Sequence, residues 1–120
     1  MADDEQGTAD DEQRWVPVLS SGELAEGTPV RVALEGLDVF LYRAADRIYA
    51  LDDRCSHQGG PLHRGRVDAA ISPPTVTCPI HGSMFLMTDG RVMRGPALRA
   101  QPVFDVRESD GMIEIRDREG

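Results

Sequence analysis

Two short segments, Cys55-Ser56-His57 and Cys78-Pro79-Ile80-His81, constrain what this chain can fold into more than any other feature. They use both cysteines and two of the three histidines in 120 residues, and twenty residues separate them. Each thiol carries an imidazole at a short fixed offset, i+2 in the first segment and i+3 in the second. At this histidine content both offsets would coincide by chance about once in 1,600, so the pattern reads as a motif. Cys and His bind soft and borderline metals, so the fold is expected to bring two loops to one metal site.

Ligand counting leaves more than one metal open. Two thiolates and two imidazoles can hold one tetrahedral zinc. Zinc fingers, however, usually group Cys in one stretch and His in another. Mixed pairs suit a two-iron cluster, in which Cys55 and Cys78 share one iron and His57 and His81 the other. Two unrelated thiols are the bland alternative.

The residues around these four resemble the Rieske family, specifically its soluble ferredoxins. Cys55-Ser-His57-Gln-Gly-Gly-Pro61-Leu is similar to the first family loop, and Cys78-Pro-Ile-His81-Gly-Ser-Met-Phe85 to the second. Ile48 to Asp53 resembles the strand entering the first loop. Thr88-Asp-Gly90 resembles the turn after the second loop, and Gly95-Pro-Ala97 the exit to the main sheet. The likeness runs from Trp15 to Arg116. It implies an all-β Rieske fold, an antiparallel β base with an inserted small cluster-binding subdomain. It also implies one [2Fe-2S] cluster per chain, held by Cys55, His57, Cys78 and His81, and one-electron transfer.

Departures from the family pattern carry information too. High-potential members have a second Cys in each loop, joined as a disulfide; here Gly60 and Ile80 occupy those regions and no cysteine is spare. Those members also place Ser and Tyr after the second loop as hydrogen-bond donors to sulfur. Ser83 is retained, but Phe85 has no hydroxyl. Donors to sulfur stabilise the reduced state, so their loss lowers the potential. Two ferric ions, two sulfides and two thiolates sum to zero charge, which makes reduction easier than in an all-cysteine cluster. The expected potential lies in the lower part of the Rieske range of about −150 to +300 mV.

Other loop residues have expected roles. Gly59, Gly60 and Gly82 permit close backbone approach, while Pro61 and Pro79 stiffen the loops. His63, beside Arg64 and Arg66, is expected to be an exposed, non-ligating residue of a solvated turn. Met84, Met87 and Met93 are expected to fill gaps in the core.

Period-two patterning predicts an all-β chain with many short strands. Trp15–Val18 reads as an opening strand, placed at an edge because Pro17 lacks an N–H. Ser20 or Ser21 is expected to cap a short helical turn through Leu24, ending at Gly27. Val30–Leu34 and Val39–Arg43 flank a Glu35-Gly36 turn, and Ile48–Leu51 leads to the first loop. Thr75–Thr77 leads to the second. Met84–Met87 and Arg91–Met93 pair around Asp89-Gly90, and Val103–Arg107 and Met112–Arg116 pair around Asp110-Gly111.

The net charge is −8, from 21 acids against 13 basic residues, all Arg. Six acids fall between Asp3 and Glu12, so residues 1–13 are expected to form an acidic, disordered tail before a single domain at 14–118. The cluster-binding part is placed at about 48–95 on the resemblance. Acidity disfavours nucleic acid, which needs a basic face, and favours a transient redox partner with a basic surface. Pro73, Pro74 and Pro79 interrupt the only charge-poor region, so no membrane span is expected. Asp3, Asp4 and Glu5 stand where a secretory signal would be basic, which points to a cytoplasmic protein.

Two functional readings follow. The first is a free, monomeric ferredoxin that takes electrons from an NAD(P)H-dependent flavoprotein ferredoxin reductase and passes them to a terminal oxygenase. It is not itself an enzyme, and has no catalytic acid or base. The second is a Rieske-type small subunit of a larger reductase, such as assimilatory nitrite reductase. A permanent subunit should expose a large apolar patch; a diffusing carrier should not.

Overall fold

The computed structural model describes residues 15–34, 36–57, 59–70 and 72–118. The acidic segment 1–13 and Glu35 of the expected Glu35-Gly36 turn lie outside the described residues. Among the described residues, ten strands form three antiparallel sheets, and helix is confined to two three-residue 3₁₀ turns.

The first sheet has the order β1-β10-β9, built from β1 (Val16–Ser20), β9 (Phe104–Ser109) and β10 (Met112–Asp117). As expected from Pro17, β1 is an edge strand, and its register shifts between Pro17 and Leu19. The β9–β10 hairpin turns through Asp110 and Gly111, both with positive φ (54° and 80°). That conformation suits Asp-Gly, since Asp has a short polar side chain and glycine has no Cβ to clash in the left-handed region. The Trp15 ring carries two guanidiniums, that of Arg107 at 4.5 Å and that of Arg116 at 4.4 Å from its centroid, which fastens the entry of the chain to this hairpin.

The second sheet has the order β2-β3-β4, from β2 (Val30–Leu34), β3 (Leu37–Ala44) and β4 (Arg47–Asp52). Its β3–β4 hairpin is the spine of the molecule because both faces are covered. Phe40, Tyr42, Tyr49 and Leu51 point into one core, while Val39, Leu41 and Ala50 point into another. Register matches this alternation: Phe40 faces Leu51 and Tyr42 faces Tyr49 in one core, and Leu41 faces Ala50 in the other. Fully burying each large apolar side chain is worth about 1.5–3 kcal/mol, so neither face tolerates a one-residue slip. The second core is completed by Leu24, Phe104, Ile113 and Ile115 of the first sheet and its approach.

The third sheet has the order β5-β6-β7-β8: β5 (Arg66–Asp68), β6 (Thr75–Thr77), β7 (Met84–Leu86) and β8 (Val92–Arg94). It lies in the chain between β4 and β9; its Val76 and Phe85, with Leu62 before it, Met87 after β7 and both cysteines, pack into the first core. The architecture is therefore the all-β base with an inserted smaller sheet that the sequence implied.

Three details differ from expectation. The turn at Ser21–Glu23 is a single 3₁₀ turn that stops at Leu24, with no side-chain cap from Ser20. Strand β5 falls where a solvated turn was expected. Of the three methionines, only Met87 is core; Met84 is half-buried and Met93 is exposed, because β8 is the outer strand of its sheet.

Candidate metal centre

The two Cys–His segments are built on one backbone frame. In the first, the Cys55 N–H donates to the Gly60 carbonyl (2.8 Å) and the Cys55 carbonyl accepts the Gly59 N–H (2.7 Å). In the second, the Cys78 N–H donates to Ser83 (2.8 Å) and the Cys78 carbonyl accepts the Gly82 N–H (3.2 Å). Cysteine thus sits at the first position and glycine four residues later, with φ of 77° at Gly59 and 83° at Gly82. Such positive φ values are what a glycine, lacking Cβ, adopts cheaply.

The frames face each other. A Cβ added to Gly60 would stand 2.7 Å from the Cys78 Sγ and 2.5 Å from the Ile80 Cγ1, so the first loop's backbone lies directly against the second loop's sulfur. Cys55 and Cys78 are both buried and neither is in a disulfide. The rings of His57 and His81 meet edge to face with centroids 5.2 Å apart; His57 is half-buried and His81 exposed. All four residues singled out from the sequence are therefore gathered between two loops, with the thiols inside and the imidazoles outside. The His57 N–H also approaches the Cys55 Sγ at 3.4 Å, a donor aimed at sulfur.

Two buried thiols and two imidazoles on facing loops are a donor set of the kind a two-iron cluster takes. Among the described residues, no three His, Cys, Asp or Glu side chains converge as a single-ion site would require. A cluster asks only two protein donors per iron, sulfide supplying the rest. Glycine at position 60 is what lets the first loop lie this close to the Cys78 sulfur.

Surrounding residues hold the first loop. Gln101, fully buried, accepts the Ser56 N–H (2.8 Å) and donates through Nε2 to the carbonyls of Asp52 (2.6 Å) and Arg54 (2.5 Å). One amide thus ties the chain on both sides of Cys55. The Ser56 hydroxyl donates to the Arg99 carbonyl (2.7 Å). Ser83, also buried, accepts the Ala97 N–H through Oγ (2.9 Å), which leaves its own O–H available as the donor that the sequence suggested. Phe85 is wholly buried and brings no polar group.

His63 differs from expectation. It is half-buried in the 3₁₀ turn Leu62–Arg64, and its Nδ1 lies 2.8 Å from the Asp53 Oδ2. Its N–H donates to the Asp53 Oδ1 at 2.7 Å. Asp53 is buried, which pushes its pKa up, while the bonds from His63 pull the other way. Because Asp53 begins the first loop, the pair clips that loop to the 3₁₀ turn. Neither Gln101 nor Asp53 was singled out from the sequence.

Several known proteins are similar to this chain. The family model for the Rieske [2Fe-2S] domain matches residues 14–105. The terminal oxygenase component CarAa of carbazole 1,9a-dioxygenase from Sphingomonas sp is 38% identical over 109 residues, covering 84% of this chain but only 28% of that protein. Ferredoxin CarAc from Metapseudomonas resinovorans is 29% identical, over 86% of this chain and 94% of that one. A chain in a solved complex of reduced oxygenase and oxidized ferredoxin in carbazole 1,9a-dioxygenase superposes with a TM-score of 0.78 at 27% identity, covering 90% of this chain and 99% of that one.

Proposed function

The chain belongs to the Rieske [2Fe-2S] domain family, and on that premise we propose that it is a one-electron carrier serving a terminal oxygenase. The observation that carries this is the pairing of His57 and His81, 5.2 Å apart, above two buried thiols set in matching loop frames. We assign Cys55 and Cys78 to one iron and His57 and His81 to the other. When bound, the cluster supplies reversible one-electron transfer. The chain's own residues position it: Gln101 and Asp53 fix the first loop, Ser83 fixes the exit of the second, and exposed His81 gives a short path to a partner.

The chain spans 28% of the oxygenase CarAa and 94% of ferredoxin CarAc. Electron supply by an NAD(P)H-dependent flavoprotein reductase, a monomeric state, a cytoplasmic location, a single domain at 14–118 and an acidic tail at 1–13 are parts of this proposal. Among the described residues no helix is long and apolar enough to cross a membrane. Their exposed large apolar side chains are Val16, Ile80, Met93 and Leu98, too few for the extensive apolar face of a permanent reductase subunit. The test is reconstitution: with NADH and a flavoprotein ferredoxin reductase, the protein should transfer electrons to an aromatic-ring terminal oxygenase and make product formation depend on its presence. Isolation as a fixed, stoichiometric subunit of a larger reductase would favour the second reading.

A further inference from the structure

The net charge of −8 hides a partition. Residues 53–101, which carry both loops and the third sheet, hold six Arg against three acids, a balance of +3. All other residues hold seven Arg against eighteen acids, a balance of −11. The cations sit close to the loops. Arg54 precedes Cys55; Arg66 faces Thr77, next to Cys78; Arg94 faces Met84, next to Ser83; and the Arg99 carbonyl accepts the Ser56 hydroxyl. All four side chains are exposed.

The acids of this region do not cancel them. Asp53 is buried against His63. Asp89 pairs with Arg91 at the far turn, and Asp68 faces Thr75, at the end of the β5–β6 ladder away from Cys78. Arg54 reaches Asp38 only at 3.8 Å with its side chain 60% exposed. None of the ion pairs among the described residues involves Arg66, Arg94 or Arg99. Two large apolar side chains of this region face water, Ile80 inside the second loop (53% exposed) and Leu98 beside Arg99 (96% exposed).

We propose that the end of the molecule carrying the two loops, with its exposed arginines and the exposed Ile80 and Leu98, is the docking surface for a protein partner whose own face is acidic, with Asp and Glu carboxylates beside apolar side chains. The inference rests on the carrier reading above and adds the chemistry of the partner. The whole-chain charge would select a basic partner. At physiological salt, though, a charge is felt over about 8–10 Å, so the residues around the loops govern the final approach. Charges set the encounter rate and orientation, and the apolar side chains exclude water once the faces meet. Acids among the described residues of the first two sheets, Asp46, Glu108, Glu114 and Asp117 among them, then disfavour docking of the same partner on those sheets.

The test reads the sign of the field at that end with small redox ions. The reduced, cluster-loaded full chain is mixed in a stopped-flow instrument with ferricyanide, an anion, and separately with hexaammineruthenium(III), a cation. Salt is raised from about 10 mM to about 200 mM. The ferricyanide rate should fall at least about threefold, and the hexaammineruthenium rate should rise. The double variant Arg94→Glu/Arg99→Glu should reverse both slopes while leaving the visible spectrum unchanged. Should that variant lose its cluster, Arg94→Gln/Arg99→Gln should flatten the slopes instead. Slopes that follow the net negative charge of the chain, or no salt dependence at all, would overturn the proposal while leaving the carrier reading intact. A protein that accepts no electron would defeat the carrier reading, and this inference with it.

Discussion

Gly60 and Cys78 are in contact across the two loops: a methyl group at position 60 would lie 2.7 Å from the Cys78 Sγ. Atoms that close must move, and the backbone at Gly60 is held by the bond from Cys55. Gly60→Ala should therefore push Cys78 out of place and lower iron and sulfide content after purification. Gly59→Ala is the matched control. It has open space, and its cost is the positive φ, about 1 kcal/mol, so it should keep its metal. Equal metal loss in the two variants would contradict the packing argument.

Gln101→Leu should destabilise the first loop, because it leaves the Ser56 N–H and the Asp52 and Arg54 carbonyls without their partner. A buried polar group without a partner costs about 1–3 kcal/mol, so a loss of about 2 kcal/mol or more is expected from chemical unfolding. Cluster release should also quicken, followed as bleaching of visible absorption. An unchanged release rate would remove Gln101 from the support of Cys55.

How far the sequence could be read depends on what kind of signal each residue leaves. Asp110-Gly111 and the alternation in β9 and β10 are local signals, and the hairpin is where they place it. The Cys and His segments stood out because few side chains bind metal, and the structure sets their two loops against each other. Strand β5 was not, since three residues with one apolar side chain and two charged ones carry no period. Gln101 left no signal either: an amide between Ala100 and Pro102 reads as loop until the fold brings it to Asp52 and Arg54. His63 was misjudged for the same reason. Its neighbours in sequence are charged and exposed, but its partner Asp53 is ten residues away and buried.

Phe85→Tyr restores a hydroxyl where high-potential relatives carry one. Phe85 packs in the same core as Cys55 and Cys78. A donor reaching sulfur there stabilises the reduced state, so the reduction potential should rise. Protein-film voltammetry measures this directly, and a potential that falls or stays fixed would show that the new hydroxyl does not reach the sulfur.

Asp105 gives a pH dependence away from the loops. Burial acts to raise its pKa, but Arg118 (3.0 Å) and Arg116 (3.2 Å) outweigh this and hold it below the usual 3.8. A carboxylate depressed in the folded state contributes stability that is complete above its unfolded pKa and vanishes as pH falls through the folded one. Asp105→Asn should therefore lower the urea midpoint at pH 6, where the pair is worth at most about 1 kcal/mol. The gap between variant and parent should close as acid protonates Asp105. A gap that widens in acid would contradict the assignment.

The most direct test of the account is spectroscopic. Protein isolated without oxygen, with its histidine nitrogens isotopically labelled, should contain two irons and two sulfides per chain. Its paramagnetic signal, appearing on reduction by one electron, should show coupling to two histidine nitrogens, and His57→Ala or His81→Ala should each remove that pattern. A colourless zinc protein, or an iron cluster with no nitrogen coupling, would contradict the assignment of Cys55, His57, Cys78 and His81 as its ligands.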